Sequence, residues 1–305
     1  MPRHRRPAPF ARRERKRKRI AGALAFLVAL AVAACSPAPQ PAHPALWRID
    51  GPHGEQGWLF GTIHALDRPA LWRSAEIDAA LRGSDRIVVE VGNPGDGAAL
   101  RKTFAGLARS SGLPPLSVRV EPALRPRLAE ALHAAGAREA GFADVETWAA
   151  ALTLARAGQG PDDAANGIDR AVLELAGGRP VIELEGAFAQ LRIFDALPED
   201  EQRRLLAAVL RDARGIDTGG GDLAEAWRRG DMRRIEAETH RGLLADPALR
   251  EALFTGRNRA WSDRLAAMLA RGQRPFVAVG AAHMAGAEGL PALLAARGYK
   301  VIRVQ

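Results

Sequence analysis

Apolar positions recur along this chain with two periods, and the periods divide it. Short apolar runs containing β-branched residues at 57–60, 86–91, 180–184, 275–279 and 300–304 predict strands. Between them, residues 121–136, 144–158, 199–213 and 257–272 place apolar side chains three and four positions apart, which predicts amphipathic helices. Gly136, Gly158 and Gly272 stand where such helices would end. The glycine-rich stretch 215–222 reads as a flexible loop. Strands therefore cluster at the two ends of the chain and once near 182, while the region from about 100 to 270 is mostly helical. The pattern predicts an α/β fold, with a mixed central β-sheet built from N- and C-terminal strands and a largely helical insert between them. No regular short-period repeat is present.

The first 45 residues obey neither period. A basic stretch precedes an apolar run at 20–34, fifteen residues long and too short for an ordinary membrane span. It ends at Cys35, the only cysteine in the chain. The run Val-Ala-Ala-Cys at 32–35 resembles a bacterial lipobox, so residues 1–34 read as a signal peptide and Cys35 as the lipidated N-terminus of the mature protein. The expectation is a lipid-anchored protein of the bacterial cell envelope that faces the periplasm, without disulfides. The Pro/Ala-rich residues 36–45 read as an extended tether, and the folded domain as 46–305.

Charge changes this picture only at the leader. The formal charge of +9 suggests a nucleic-acid binder, but ten of the 44 basic residues and one of the 35 acidic residues lie within residues 1–34. The remainder carries equal numbers of each sign and only 5% of the chain is aromatic, so no nucleic-acid partner is expected.

Two predicted strands end alike. "WLFGTIHALD" and "FVAVGAAHMAGAEG" each stop on a glycine and deliver a histidine three residues later, His64 and His283. Ligands of α/β sheets gather at the carboxyl edge of the strands. If these two strands lie side by side, both imidazoles reach one pocket and can act as first-row metal ligands. Glu90, at the end of the strongly apolar "RIVVEV", is the candidate third group, because a carboxylate there is costly without a partner. Singly, each histidine also reads as a hydrogen-bonded loop residue, and Glu90 as an acceptor of backbone N–H bonds. Asp169 reads as a helix-capping carboxylate. Glu183 and Glu185 alternate onto one strand face, where they support a site or face solvent. Arg257, Asn258 and Arg259 sit at a predicted helix start, where arginine opposes the macrodipole and so points to a carboxylate partner or an anionic substrate group.

In this order and spacing, "LFGTIHALD", "RIVVEV", "NGIDRAVLELAGGRPVIELEGAFAQL", "RNRAW" and "FVAVGAAHMAGAEGLPALLAARGYKVIRV" resemble the TraB/GumN family, whose wider relatives include the TIKI proteases and esterase-like enzymes. The resemblance spans about 59–304. It implies that His64, His283 and Glu90 form the active site and that Asp169, Glu185, Arg257 and Asn258 line the pocket. The chain departs from the family pattern at Gly92, where an acidic residue is commoner.

The leading expectation is a divalent-metal-dependent peptidase acting on a peptide or other small substrate. His64 and His283 would hold manganese, cobalt or zinc, with Glu90 as third ligand or general base, and Arg257 and Asn258 would stabilise the oxyanion. The alternatives are a metal-free, esterase-like hydrolase with a histidine base, and a non-catalytic lipoprotein that binds a peptide, a polysaccharide intermediate or haem.

Overall fold

The run from 56 to 62 is apolar on both faces because it lies in the middle of a sheet that is covered on both sides. The computed structural model describes residues 38–92, 97–157, 164–211 and 220–305. Its strands are β1 (Gln40–Pro41), β2 (Leu46–Asp50), β3 (Gln56–Thr62), β4 (Ala70–Leu71), β5 (Arg86–Val89), β6 (Val181–Glu183), β7 (Pro275–Gly280) and β8 (Lys300–Arg303). Six of them form one mixed sheet in the order β6-β5-β7-β3-β2-β8, and β1 pairs with β4 in a separate parallel ribbon. From β6 to β3 the neighbours are parallel, while β2 runs antiparallel to both β3 and β8. The N- and C-terminal strands thus share a sheet, as the apolar pattern predicts.

Successive side chains of the central strands point to opposite faces, and each face has its own core. Trp58, Phe60, Ile87, Val89, Phe276 and Ala278 pack with Ile77, Val172 and Trp227. Leu59, Val88, Val277 and Val279 pack with Trp261, Leu265, Leu269, Leu290 and Leu294. A third cluster, around Trp148, Leu205 and Leu206, belongs to the helical middle and joins the helices Thr147–Ala157 and Glu199–Arg211. Among the described residues no helix is long and apolar enough to cross a membrane.

Several boundaries differ from expectation. β2, "LWRID", is too short and too polar to register as an apolar run, yet it completes a hairpin whose turn contains Gly51 and Gly54, the latter at φ +90°. Gly136 and Gly272 close their helices at φ +60° and +71°, in the left-handed region that favours glycine. Gly158 lies outside the described residues, as do the leader, Cys35 and residues 212–219. The glycines at 220 and 221, expected in a loop, begin the helix Gly220–Arg228.

The tether is shorter than its composition suggests. β1 pairs Gln40 with Ala70 and Pro41 with Leu71, and Ala42 and Ala45 are buried. Alanine and proline cost little side-chain entropy to bury, so a segment rich in them packs once a neighbouring strand supplies hydrogen bonds.

The two glycines of the repeated motif serve different ends. A Cβ on Gly61 would stand 3.0 Å from both Cα and Cβ of Ala281, and the Gly61 carbonyl accepts the Trp227 indole N–H at 2.9 Å. A Cβ on Gly280 would meet nothing nearer than a Glu90 oxygen at 3.4 Å. Gly61→Ala is therefore expected to destabilise the fold by about 1–3 kcal/mol through overpacking against backbone, and Gly280→Ala far less, in urea unfolding of the two variants beside the parent.

Candidate active site

The register of β5, β7 and β3 brings the expected residues to one edge. Thr62 pairs with Gly280, and Val89 with Ala278, so the chain emerges from three adjacent parallel strands at their carboxyl ends, where Glu90, His64 and His283 follow. β6 extends the edge: the Leu184 amide donates to Val89 O at 2.8 Å and the Glu185 amide to Glu90 O at 3.2 Å. Gly186, at φ +81°, then turns the chain into the helix Ala187–Asp195.

Arg257 holds this edge together. Its Nε and Nη2 donate to the two oxygens of Glu185 at 2.8 and 2.9 Å, and Nη2 also donates to Glu90 Oε2 at 2.9 Å. Nη1 donates to the Leu253 carbonyl at 3.0 Å and faces His283 Nε2 at 3.5 Å. The five N–H groups of the guanidinium thus all point at protein acceptors. Trp261, one helical turn on, adds an indole N–H to Glu185 Oε1 at 3.0 Å and sets its ring 4.6 Å beneath the guanidinium.

Arg257 does not stand at a helix start. Asp246 caps the helix Pro247–Arg250, a π turn follows at Glu251–Thr255, and the helix Gly256–Ala270 continues from it. The macrodipole argument for a partner therefore falls, although the carboxylate partners exist.

Glu90 is buried, at 7% exposure, and its other oxygen accepts the Gly280 amide at 2.8 Å. Burial works against its ionisation, but the Arg257 guanidinium and the Gly280 amide help to outweigh burial and hold the carboxyl below its usual range. Burial pushes the His283 imidazole the other way, down to about 3, against the pull of Glu90 and with help from Arg257. Its ring is packed between Phe254 and Trp261, at centroid distances of 5.3 and 4.5 Å. Asn258 Nδ2 donates to the Glu288 carbonyl at 2.7 Å, so the amide oxygen must face His283, whose Nδ1–H it accepts at 2.5 Å. Asn258 is fully buried and both ends of its amide are engaged. Its contacts make it the clamp that fixes the His283 tautomer rather than a donor for an oxyanion.

His64 has the opposite surroundings. Its side chain is 53% exposed and Nδ1 lies 2.7 Å from Asp169 Oδ2. Asp169 does not cap its helix, Ile168–Glu174; it turns toward β3, where the buried Thr62 hydroxyl donates to Oδ1. The Ile168 amide donates to Ile63 O at 2.9 Å and pins the two segments together. Burial again opposes ionisation, but His64 and the Thr62 hydroxyl hold the Asp169 carboxyl below its usual range.

The two strand-face carboxylates separate. Glu185 enters the Arg257 cluster, while Glu183 accepts the Gly92 amide at 2.5 Å, so a backbone N–H is engaged at the position where the family pattern more commonly has an acidic residue. Thr62, Phe254 and Trp261 had not been singled out from the sequence. Trp261 lies four residues after Arg257 and Phe254 three before, a helical spacing that could have found both.

Among the described residues no three His, Cys, Asp or Glu side chains converge to hold a metal ion. To bind there, an ion would have to displace the guanidinium from the lone pair of His283 Nε2 and share Glu90 oxygens that already accept N–H bonds.

The chain belongs to the TraB/PrgY/gumN family, whose model matches residues 45–303. No curated protein and no solved structure matches it.

The neutrality of His283 gives a pH dependence of stability. Between about pH 6.5 and about 3 the unfolded chain takes up a proton that the folded imidazole refuses, so stability falls as pH falls through that window. Lowering the pH from 7 to 5 should cost about 2 kcal/mol in urea unfolding, above the range in which Glu90 and Asp169 add their own losses. A His283→Gln variant should show a shallower pH slope whatever its absolute stability. Arg257→Leu, which leaves two buried carboxylates without their cation, should lose about 3–5 kcal/mol at pH 7 in the same assay.

Proposed function

We propose that this member of the TraB/PrgY/gumN family is an exported, lipid-anchored hydrolase in which the His64–Asp169 pair activates water against a peptide or other small acyl substrate. The observation that carries the reading is the 2.7 Å contact between His64 Nδ1 and Asp169 Oδ2 at the carboxyl edge of a parallel sheet. An ionised carboxylate on Nδ1 fixes the tautomer that leaves Nε2 as the basic nitrogen, and it stabilises the imidazolium that forms there. Half-exposed, His64 is also within reach of a substrate.

In the proposed reaction Nε2 takes a proton from water as its oxygen bonds to the acyl carbon. The tetrahedral adduct then collapses, and the same proton passes to the leaving amine or alkoxide. Glu90, already accepting two N–H bonds, is a weak base in this arrangement and serves to hold Arg257 and the Gly280 amide in place. The leader and Cys35 support export and lipid anchoring at the cell envelope.

A divalent ion on His64, His283 and Glu90 is the second reading. Charge favours it, because Glu90 and Glu185 share one guanidinium and leave one negative charge uncompensated beside a neutral imidazole.

Fluorogenic peptide and ester substrates decide between the readings. Asp169→Asn and His64→Ala should each lower turnover by about 10²–10⁴-fold, and turnover should persist after exhaustive chelation. Loss of turnover on chelation, with a transition metal recovered in the parent and absent in His64→Ala, would establish the second reading instead.

A further inference from the structure

If Cys35 carries the lipid, it lies five positions from Gln40, with four residues between them. Even fully extended this stretch spans at most about 18 Å. Gln40 itself is not free to move away, because the chain is fixed at three successive points. The Gln40 amide donates to Pro69 O at 2.9 Å, the Ala42 amide to Leu71 O at 3.1 Å, and the His43 amide to Arg228 O at 2.6 Å. With Cys35 as the anchor, the domain stays within that distance of the bilayer, and the face around β1 and β4 is the one nearest to it.

That face has the chemistry of such a position. Leu71, opposite Pro41 in the ribbon, is 62% exposed, the most exposed of the large apolar side chains among the described residues. Beside it, an open hollow of about 480 Å³ is lined by Gln40, Pro41, His43, Arg228 and Arg229, with Glu225. A second hollow, of about 430 Å³, shares Arg229 and adds Arg233 and Arg303, with Asp231. Arg228 is buried and paired with Asp67, but Arg229, Arg233 and Arg303 are exposed. An exposed leucine next to arginines whose long stems can lie along the surface suits the headgroup layer of an anionic membrane.

Resting on the reading of Cys35 as the lipid anchor, we infer that the face formed by β1, β4 and the turn from Arg229 to Arg233 docks against the anionic phospholipid surface that holds the chain, with Leu71 entering the headgroup layer. One lipid group alone gives weak orientation, and a second contact of this kind fixes which way the domain faces.

The full chain, lipidated in cells, tests this. Lipidation consumes Cys35, so Leu71→Cys supplies a single free thiol for a fluorophore, and Val118→Cys, 56% exposed in the helical middle, supplies the control. Each is reconstituted into phosphatidylglycerol and phosphatidylcholine vesicles that carry a headgroup quencher. The expected result is several-fold stronger quenching at position 71 than at 118, greater in phosphatidylglycerol and reduced there by Arg229→Gln with Arg233→Gln. Equal quenching at the two positions, in protein that floats with the vesicles, would overturn the docking face alone. Failure to float would overturn the anchor and the face together. Quenching at 71 indifferent to the arginine changes would overturn the part given to anionic headgroups.

Discussion

Burial of two carboxylates beside one another is the constraint on which this site depends. Glu90 and Glu185 leave adjacent parallel strands and would repel each other in a poorly solvated edge if Arg257 were not between them. The guanidinium comes from a helix on one face of the sheet, so the charge cluster fastens that helix to the carboxyl edge. One cation does not neutralise two anions. The excess is spread over the Gly280 amide and the Trp261 indole N–H, neutral donors that add no charge of their own. His283 takes its state from its packing beside the cluster. Burial between two aromatic rings, with a guanidinium 3.5 Å from Nε2, leaves no room for a second positive charge, and a buried amide rather than a carboxylate takes its Nδ1–H.

Which parts of this were legible in the sequence follows from where the determining contacts lie. Strands buried on both faces are written as apolar runs, so β3, β5 and β7 could be read locally. The edge strands β6 and β8 are more exposed and were legible through their β-branched residues, and the glycine ends of β3 and β7 marked the edge where chemistry collects. β2 could not be read that way, because a five-residue strand with arginine and aspartate on its polar side differs little from a loop until β3 and β8 flank it. The residues of the site were legible as an inventory, but their roles were not. Asp169 looks like a helix cap in sequence and becomes the partner of His64 only because Ile168 is hydrogen-bonded to Ile63. Asn258 looks like a spare donor until both ends of its amide are found occupied. Arg257 looked misplaced against a helix dipole because the π turn before it hides the true start of the helix. In each case the deciding contact joins residues far apart in the chain or depends on backbone geometry that no residue type announces. The alanines at 42 and 45 failed for a related reason. Small apolar residues are permissive in either state, and the neighbouring strand decides.

The repeated Gly-x-x-His motif therefore does not build the same device twice. In both copies the strand ends on glycine, but Gly61 is needed because Ala281 presses against it, while Gly280 chiefly presents its amide to Glu90. The two imidazoles diverge further. A proton carrier in hydrolysis must change charge during the reaction, so it needs water or substrate on one nitrogen and an anion on the other. His64 meets that requirement through its exposure and Asp169. His283 cannot cycle through imidazolium without facing Arg257, so its fixed, neutral form suits it to act as an acceptor that keeps the guanidinium aligned. In the proposed reaction only one of the paired histidines moves a proton. The other is held neutral by burial between Phe254 and Trp261, with Arg257 beside it, so the asymmetry follows from where each ring is packed and not from the motif.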